Sequence, residues 1–105
     1  MMKVIIIGAS GSLAPYVIEA LQTKNNVKLT LFLRNKARLK QSTIQNNNIV
    51  EGDVMDYDVL KNAINGQDIV YVNLAGNLEI MAKNIVNAMH ETGVKRVIAI
   101  SSIGI

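Results

Sequence analysis

Cysteine is absent from the chain. Without a thiol there is no disulfide framework and no thiolate metal site. A reducing, cytoplasmic setting suits such a chain. Tryptophan is absent too, and the aromatic side chains are Tyr16, Phe32, Tyr57 and Tyr71. A surface for single-stranded nucleic acid stacks bases on aromatics. Their scarcity, with a formal net charge of only +3, speaks against a nucleic-acid partner. The mild positive balance still suits a ligand that carries phosphate. Proline occurs once and 50% of the residues are hydrophobic, which excludes a disordered chain. The apolar runs are strand-length, and none approaches the roughly 20 residues a bilayer demands. A single Lys3 precedes Val4–Ile7 and the chain then turns glycine-rich. That is not a signal peptide, whose apolar region runs about 7–15 residues. No membrane partner is expected. The 105 residues suffice for one domain, spanning 1–105, with one core.

What is present is concentrated first in Lys3–Ala14, KVIIIGASGSLA. The β-branched run Val4-Ile5-Ile6-Ile7 suits a strand buried on both faces. Gly8, Ser10, Gly11 and Ser12 follow, and a helical pattern begins at Leu13. A strand that breaks at glycine and feeds a helix can hold a phosphate. The glycines admit a close backbone approach, and the unpaired N–H groups of the helix's first turn point at the anion. The stretch is read as the pyrophosphate cradle of a nucleotide cofactor.

The rest alternates strands with helices. Leu13–Thr23 places Leu13, Val17, Ala20 and Leu21 on one helical face. Pro15 falls in its first turn, where the missing N–H costs little. Lys28–Leu33 reads as the second strand and Asn35–Ser42 as a short charged helix or turn. Asn46–Asn48 reads as a loop, and Asn48–Glu51 as the third strand, ending at Gly52-Asp53. Asp56 looks like the N-cap of a helix over Tyr57–Ile64 with Val59, Leu60, Ala63 and Ile64 inward. Asn65-Gly66 closes it with residues that tolerate positive φ. Asp68–Leu74 is the fourth strand. Leu78–Glu91 is the longest helix, with a stripe of Leu78, Met81, Ala82, Ile85, Ala88 and Met89, and Gly93 stops it. Lys95–Ile100 is the fifth strand. This alternation predicts an α/β fold, a doubly wound parallel sheet of the Rossmann type in the order 3-2-1-4-5. The ends of the first and fourth strands then lie side by side at the switch point, where ligands bind.

Gly8-x-x-Gly11-x-x-Ala14 gains weight from following a strand and opening a helix. Ala at the third position meets the need for close helix–strand packing. The residue after the second strand selects the cofactor. An acid there serves the ribose hydroxyls of NAD, and an Arg accommodates the added phosphate of NADP. Here Leu33 runs into Arg34, with Lys36, Arg38 and Lys40 behind it and no acid at the spot. A guanidinium forks onto phosphate, so NADP is preferred over NAD. The bland alternative makes these cations a solvated face. Asp53 can accept the adenine amino group or serve a turn. Asn73 can brace the strand ends or touch ligand. Ser101-Ser102 ends the fifth strand, where a hydroxyl can hydrogen-bond a carbonyl. His90 reads as a surface residue near a helix end, and no metal-ligand set stands out.

Five segments together resemble the amino-terminal part of an atypical or extended short-chain dehydrogenase/reductase, of the NAD(P)H-binding, NmrA-like or epimerase/dehydratase-like kind. They are Ile5–Ala14, Leu31–Asn35, Glu51–Asp56, Asn73–Gly76 and Lys95–Gly104. The resemblance implies that Gly8, Ala9, Ser10, Gly11, Ser12 and Leu13 cradle the diphosphate and that Arg34 meets the 2′-phosphate. It implies that Asp53 and Val54 flank the adenine, that Leu74, Ala75 and Gly76 line the ribose, and that Ser102 aligns with a serine that assists catalysis. The Tyr-x-x-x-Lys segment of the catalytic members follows the fifth strand. Tyr16, Tyr57 and Tyr71 all precede it, so no catalytic Tyr–Lys pair is expected within these residues. The implied role is NADP binding for hydride transfer to a small-molecule substrate that the sequence does not name. The alternative is a non-catalytic dinucleotide sensor of the NmrA-like kind. A fifth strand with no neighbour is an exposed edge, which invites pairing with another copy.

Overall fold

The computed structural model describes residues 2–8, 14–39, 41–73 and 78–99, the side chains of Arg38, Asn46, Leu78 and Ala99 apart. Five strands are β1 (Met2–Ile7), β2 (Val27–Leu33), β3 (Asn48–Glu51), β4 (Ile69–Val72) and β5 (Arg96–Ala99). They form one parallel sheet in the order β3-β2-β1-β4-β5. Four α-helices connect them: α1 (Ala14–Gln22), α2 (Gln41–Asn46), α3 (Tyr57–Ile64) and α4 (Leu78–Thr92). A short 3-10 turn, Lys36–Arg38, precedes α2.

The β-branched run of β1 is buried because alternate residues serve opposite layers. Val4 and Ile6 pack with Ala14 and Ile18 of α1 and with Leu29, Leu31 and Leu33 of β2. Ile5 and Ile7 pack with Phe32, with Leu60 and Ile64 of α3, and with Ile85, Ala88 and Met89 of α4. The eight largest fully buried side chains include Phe32, Leu31 and the run Ile5–Ile7. Burying each side chain of this size stabilises the fold by about 1.5–3 kcal/mol.

Two helical stripes differ from expectation. In α1 the buried residues are Ala14 and Ile18, while Ala20 is exposed. In α4 Ala82 is exposed, and the buried stripe is Ile85, Ala88 and Met89. Alanine contributes little apolar area, so larger neighbours decide which face turns inward. Asn35–Ser42 resolves into the 3-10 turn and the start of α2, and the Asn46–Asn48 loop is divided between α2 and β3. Asp56 holds the N-cap position of α3 but makes no side-chain cap hydrogen bond. The expected glycine stops hold at Gly66 (φ 84°) and Gly93 (φ 77°), where side-chained residues are strained.

β5 lies at the edge of the sheet, with Val97 49% and Ile98 48% exposed. Ile98 also lines an apolar groove of about 550 Å³ with Val4, Tyr16, Val17, Leu21 and Tyr71. The groove gathers Met2, Asn26 and Val27 as well, so it opens at the amino ends of the strands, away from the candidate site. No helix among the described residues is long and apolar enough to cross a membrane.

Candidate functional site

Hydrogen bonds continue the parallel ladder one step beyond three strand ends. Gly8 N donates to Phe32 O at 2.9 Å, Gly52 N to Leu33 O at 2.9 Å and Asn73 N to Ile7 O at 2.9 Å. These bonds hold the carboxyl ends of β1, β2, β3 and β4 level. Gly8, Arg34, Asp53 and Asn73 therefore share one rim, each at or just past the end of its own strand.

Gly8 has φ 85°, a conformation that a side-chained residue adopts only with strain. The chain can therefore turn sharply out of β1 with no Cβ between backbone and ligand. Ala9, Ser10, Gly11, Ser12 and Leu13 lie outside the described residues, as do Leu74, Ala75, Gly76 and Ser102. The described cradle is thus its entry at Gly8 and its exit into α1 at Ala14, with Pro15 next in the helix.

Arg34 is exposed immediately after β2. Among the described residues the one ion pair is Lys61–Glu91, so no described carboxylate neutralises Arg34. Asn35 Oδ1 accepts from Ala37 N at 3.0 Å and shapes the turn that follows. Glu51 Oε2 accepts from Lys36 N at 3.0 Å, which ties the end of β3 to the same turn.

Asp53 Oδ1 accepts from Met55 N at 2.9 Å, and Asp53 O accepts from Asp56 N at 2.9 Å. One carboxylate oxygen thus performs the turn role weighed for it. Val54 is a core residue, 4% exposed and packed with Ile5 and Phe32. Its carbonyl accepts from Asn84 Nδ2 at 3.1 Å. Its side chain is committed to the core, which leaves only backbone to flank a base.

Asn73 spends its backbone N–H on β1, while its side-chain Nδ2 is buried and has no hydrogen-bond partner among the described residues. Leaving a buried donor unpaired costs about 1–3 kcal/mol. A donor of this kind on the rim that carries Gly8 fits a ligand rich in oxygen atoms.

One Tyr-x-x-x-Lys spacing occurs in the chain, at Tyr57–Lys61 in α3. It precedes β5 in the chain. Tyr57 Oη donates to Glu91 Oε1, and Lys61 Nζ sits 2.9 Å from Glu91 Oε2. The bond to Glu91 is the main reason the phenol is pushed up to about 12. Glu91 is held below the usual carboxylate range, first by that phenol and then by Lys61. A catalytic tyrosine needs the opposite shift, toward ionisation. The trio is a clasp between α3 and α4. His90 beside it is exposed. No group of three or more potential metal ligands occurs among the described residues.

Reading the sequence missed two contributors to the rim. Glu51 is one, and its signal is its place as the lone acid ending β3, in register with Leu33. Asn84 is the other, and nothing in its helical setting marks it as the anchor of Val54.

Residues 8–105 match the model of a family described as NAD(P)H-binding. The chain matches no curated protein. Among solved structures it resembles a Rossmann-fold NAD(P)-binding family protein from Shigella flexneri, with 43% identity and a TM-score of 0.88 over 92% of this chain and 50% of that one. A wide-type short-chain dehydrogenase/reductase from Veillonella parvula, solved in complex with NADP, shares 26% identity. Its TM-score is 0.87, over 98% of this chain and 48% of that one. An NADPH-dependent quinone oxidoreductase from Escherichia coli shares 26% identity with a TM-score of 0.75, over 91% of this chain and 34% of that one. The chain thus spans half or less of the length of these three proteins.

Proposed function

The chain belongs to the NAD(P)H-binding family, and from that membership we propose that it binds NADP along the carboxyl rim of its sheet, as the cofactor-binding part of a short-chain dehydrogenase/reductase-like oxidoreductase. The observation that carries the preference for NADP is Arg34. It stands exposed after β2 with no described carboxylate against it, and β2 itself ends without an acid. A planar guanidinium in that setting pairs with a phosphate bidentately.

The described residues fit such a ligand. Gly8 at φ 85° clears the backbone for the diphosphate, and the resemblance assigns the rest of the cradle to Ala9, Ser10, Gly11, Ser12 and Leu13, which lie outside the described residues. Asp53 uses one carboxylate oxygen for its own turn and keeps the other for the adenine amino group. Val54 flanks the base through its backbone. The resemblance assigns the ribose to Leu74, Ala75 and Gly76 and the nicotinamide end to Ser102, all outside the described residues. The bound cofactor supplies hydride. The protein's work is to hold and orient it. The region 1–105 acts as one binding domain.

Titration of the chain with NADP and NAD tests this reading. Arg34→Glu is expected to weaken NADP at least about 30-fold while NAD changes by less than about threefold, because only the added phosphate meets the reversed charge. Unchanged NADP affinity removes Arg34 from the site.

A second reading is a dinucleotide sensor without turnover. It is supported by the NmrA-like side of the resemblance that Ile5–Ala14 and Lys95–Gly104 carry. NADPH oxidation with a panel of quinones and ketones separates the two. Tight binding with no oxidation supports the sensor.

A further inference from the structure

Glu51 occupies a peculiar position for an acid beside a phosphate site. It is the last residue of β3 and pairs in register with Leu33, the residue before Arg34. Gly52 N donates to Leu33 O at 2.9 Å, so the two strand ends cannot drift apart. The Glu51 carboxylate then reaches across to Lys36 N at 3.0 Å. It is thereby pinned within the turn that begins at Arg34, yet it is not paired with Arg34. Its second oxygen, Oε1, makes no hydrogen bond with a described residue.

We infer that Glu51 is a specificity residue of this site: its carboxylate, delivered from β3, replaces the acid that β2 lacks and admits NAD beside NADP. The inference rests on the proposed dinucleotide site. The chemistry has two sides. A ribose 2′-hydroxyl donates to a carboxylate oxygen, and a bond to a charged acceptor is stronger than a neutral one. A 2′-phosphate carries up to two negative charges and offers nothing but acceptors. It is drawn by Arg34 and repelled by Glu51. One fixed carboxylate therefore strengthens NAD and restrains NADP at the same locus. Arg34 alone would make the site a strict NADP binder. The pair makes it dual.

Calorimetric titration of the full chain with NADP and with NAD, on wild type and Glu51→Gln, tests the assignment. Glutamine keeps an acceptor for Lys36 N and removes only the charge. Wild type is expected to bind both dinucleotides, with NADP favoured by about tenfold or less. Glu51→Gln is expected to weaken NAD about three- to tenfold and to tighten NADP about two- to fivefold. Glu51→Asp, a second exposed substitution that retains charge but shortens the reach, is expected to fall between the two. A Glu51→Gln ratio of affinities within twofold of wild type overturns the role of Glu51 while leaving the NADP site standing. A wild-type chain that binds neither dinucleotide overturns both.

Discussion

Gly52 lies against Val59: a Cβ built on Gly52 would stand 2.7 Å from Val59 Cγ1 and 3.3 Å from the Phe32 ring. The glycine joins β3 to the loop that carries Asp53, and Val59 comes from the first turns of α3. Real Cβ atoms do not approach so closely, so helix or strand must shift. Valine is stiff at χ1 and cannot swing away. Gly52→Ala is therefore expected to destabilise the fold by about 1–3 kcal/mol, read by urea denaturation. Dinucleotide affinity should fall as well, because the shift displaces Asp53. A variant as stable as wild type would mean that α3 does not pack on this loop as closely as described.

Asn73 offers a test that separates ligand contact from scaffolding. Its Nδ2 is buried without a partner among the described residues. Replacing an unpaired buried amide by an apolar group of similar shape removes a desolvation penalty. Asn73→Leu should leave the free protein at least as stable as wild type in thermal melts. If the amide serves the cofactor, NADP binding should weaken about five- to tenfold, the loss expected for one hydrogen bond of about 1 kcal/mol or slightly more. A drop in stability with unchanged affinity would assign the amide to bracing the strand ends instead.

The parts of this fold that were legible in the sequence are those where local chemistry and tertiary demand agree. Val4–Ile7 is β-branched throughout and needs two apolar faces, which forces a central strand. Gly66 and Gly93 mark helix stops because positive φ excludes most other residues. Where local signals are weak, the structure departs from expectation. α2 is built from QSTIQN, residues of indifferent helix propensity with no apolar period. Gly8 and Arg34 reach the carboxyl rim as their places after β1 and β2 in the sequence require. Val54 was read as flanking the base, but its burial was hidden, since that depends on how the β3–α3 loop folds back over Phe32. Glu51 was also hidden, because its contact with Lys36 spans 15 positions and exists only through the β2–β3 register. The clasp of Tyr57 and Lys61 on Glu91 likewise depends on α3 lying along α4.

That clasp carries a pH dependence with a definite sign. Tyr57 is raised from 10.0 to about 12, because its hydroxyl donates a hydrogen bond to the Glu91 carboxylate. The neutral phenol is thus favoured in the folded chain. Its contribution is complete below the unfolded value near 10 and is lost as pH rises through about 12. Glu91 is shifted the other way, below its ordinary 4.5. Its contribution is present above that value and is lost as pH falls through its lowered folded value. The clasp should therefore hold across the neutral range and open at both extremes. The ultraviolet phenolate signal that disappears in Tyr57→Phe should titrate near 12 in the wild type. Glu91 is exposed and the bond lies at the surface, so the stability change at neutral pH should be small. Tyr57→Phe should also leave NADP affinity within about twofold, since a lost exposed bond elsewhere on the surface carries little energy. Ionisation of that phenol near 10, or a collapse of NADP binding in Tyr57→Phe, would return the Tyr57–Lys61 pair to the list of functional groups.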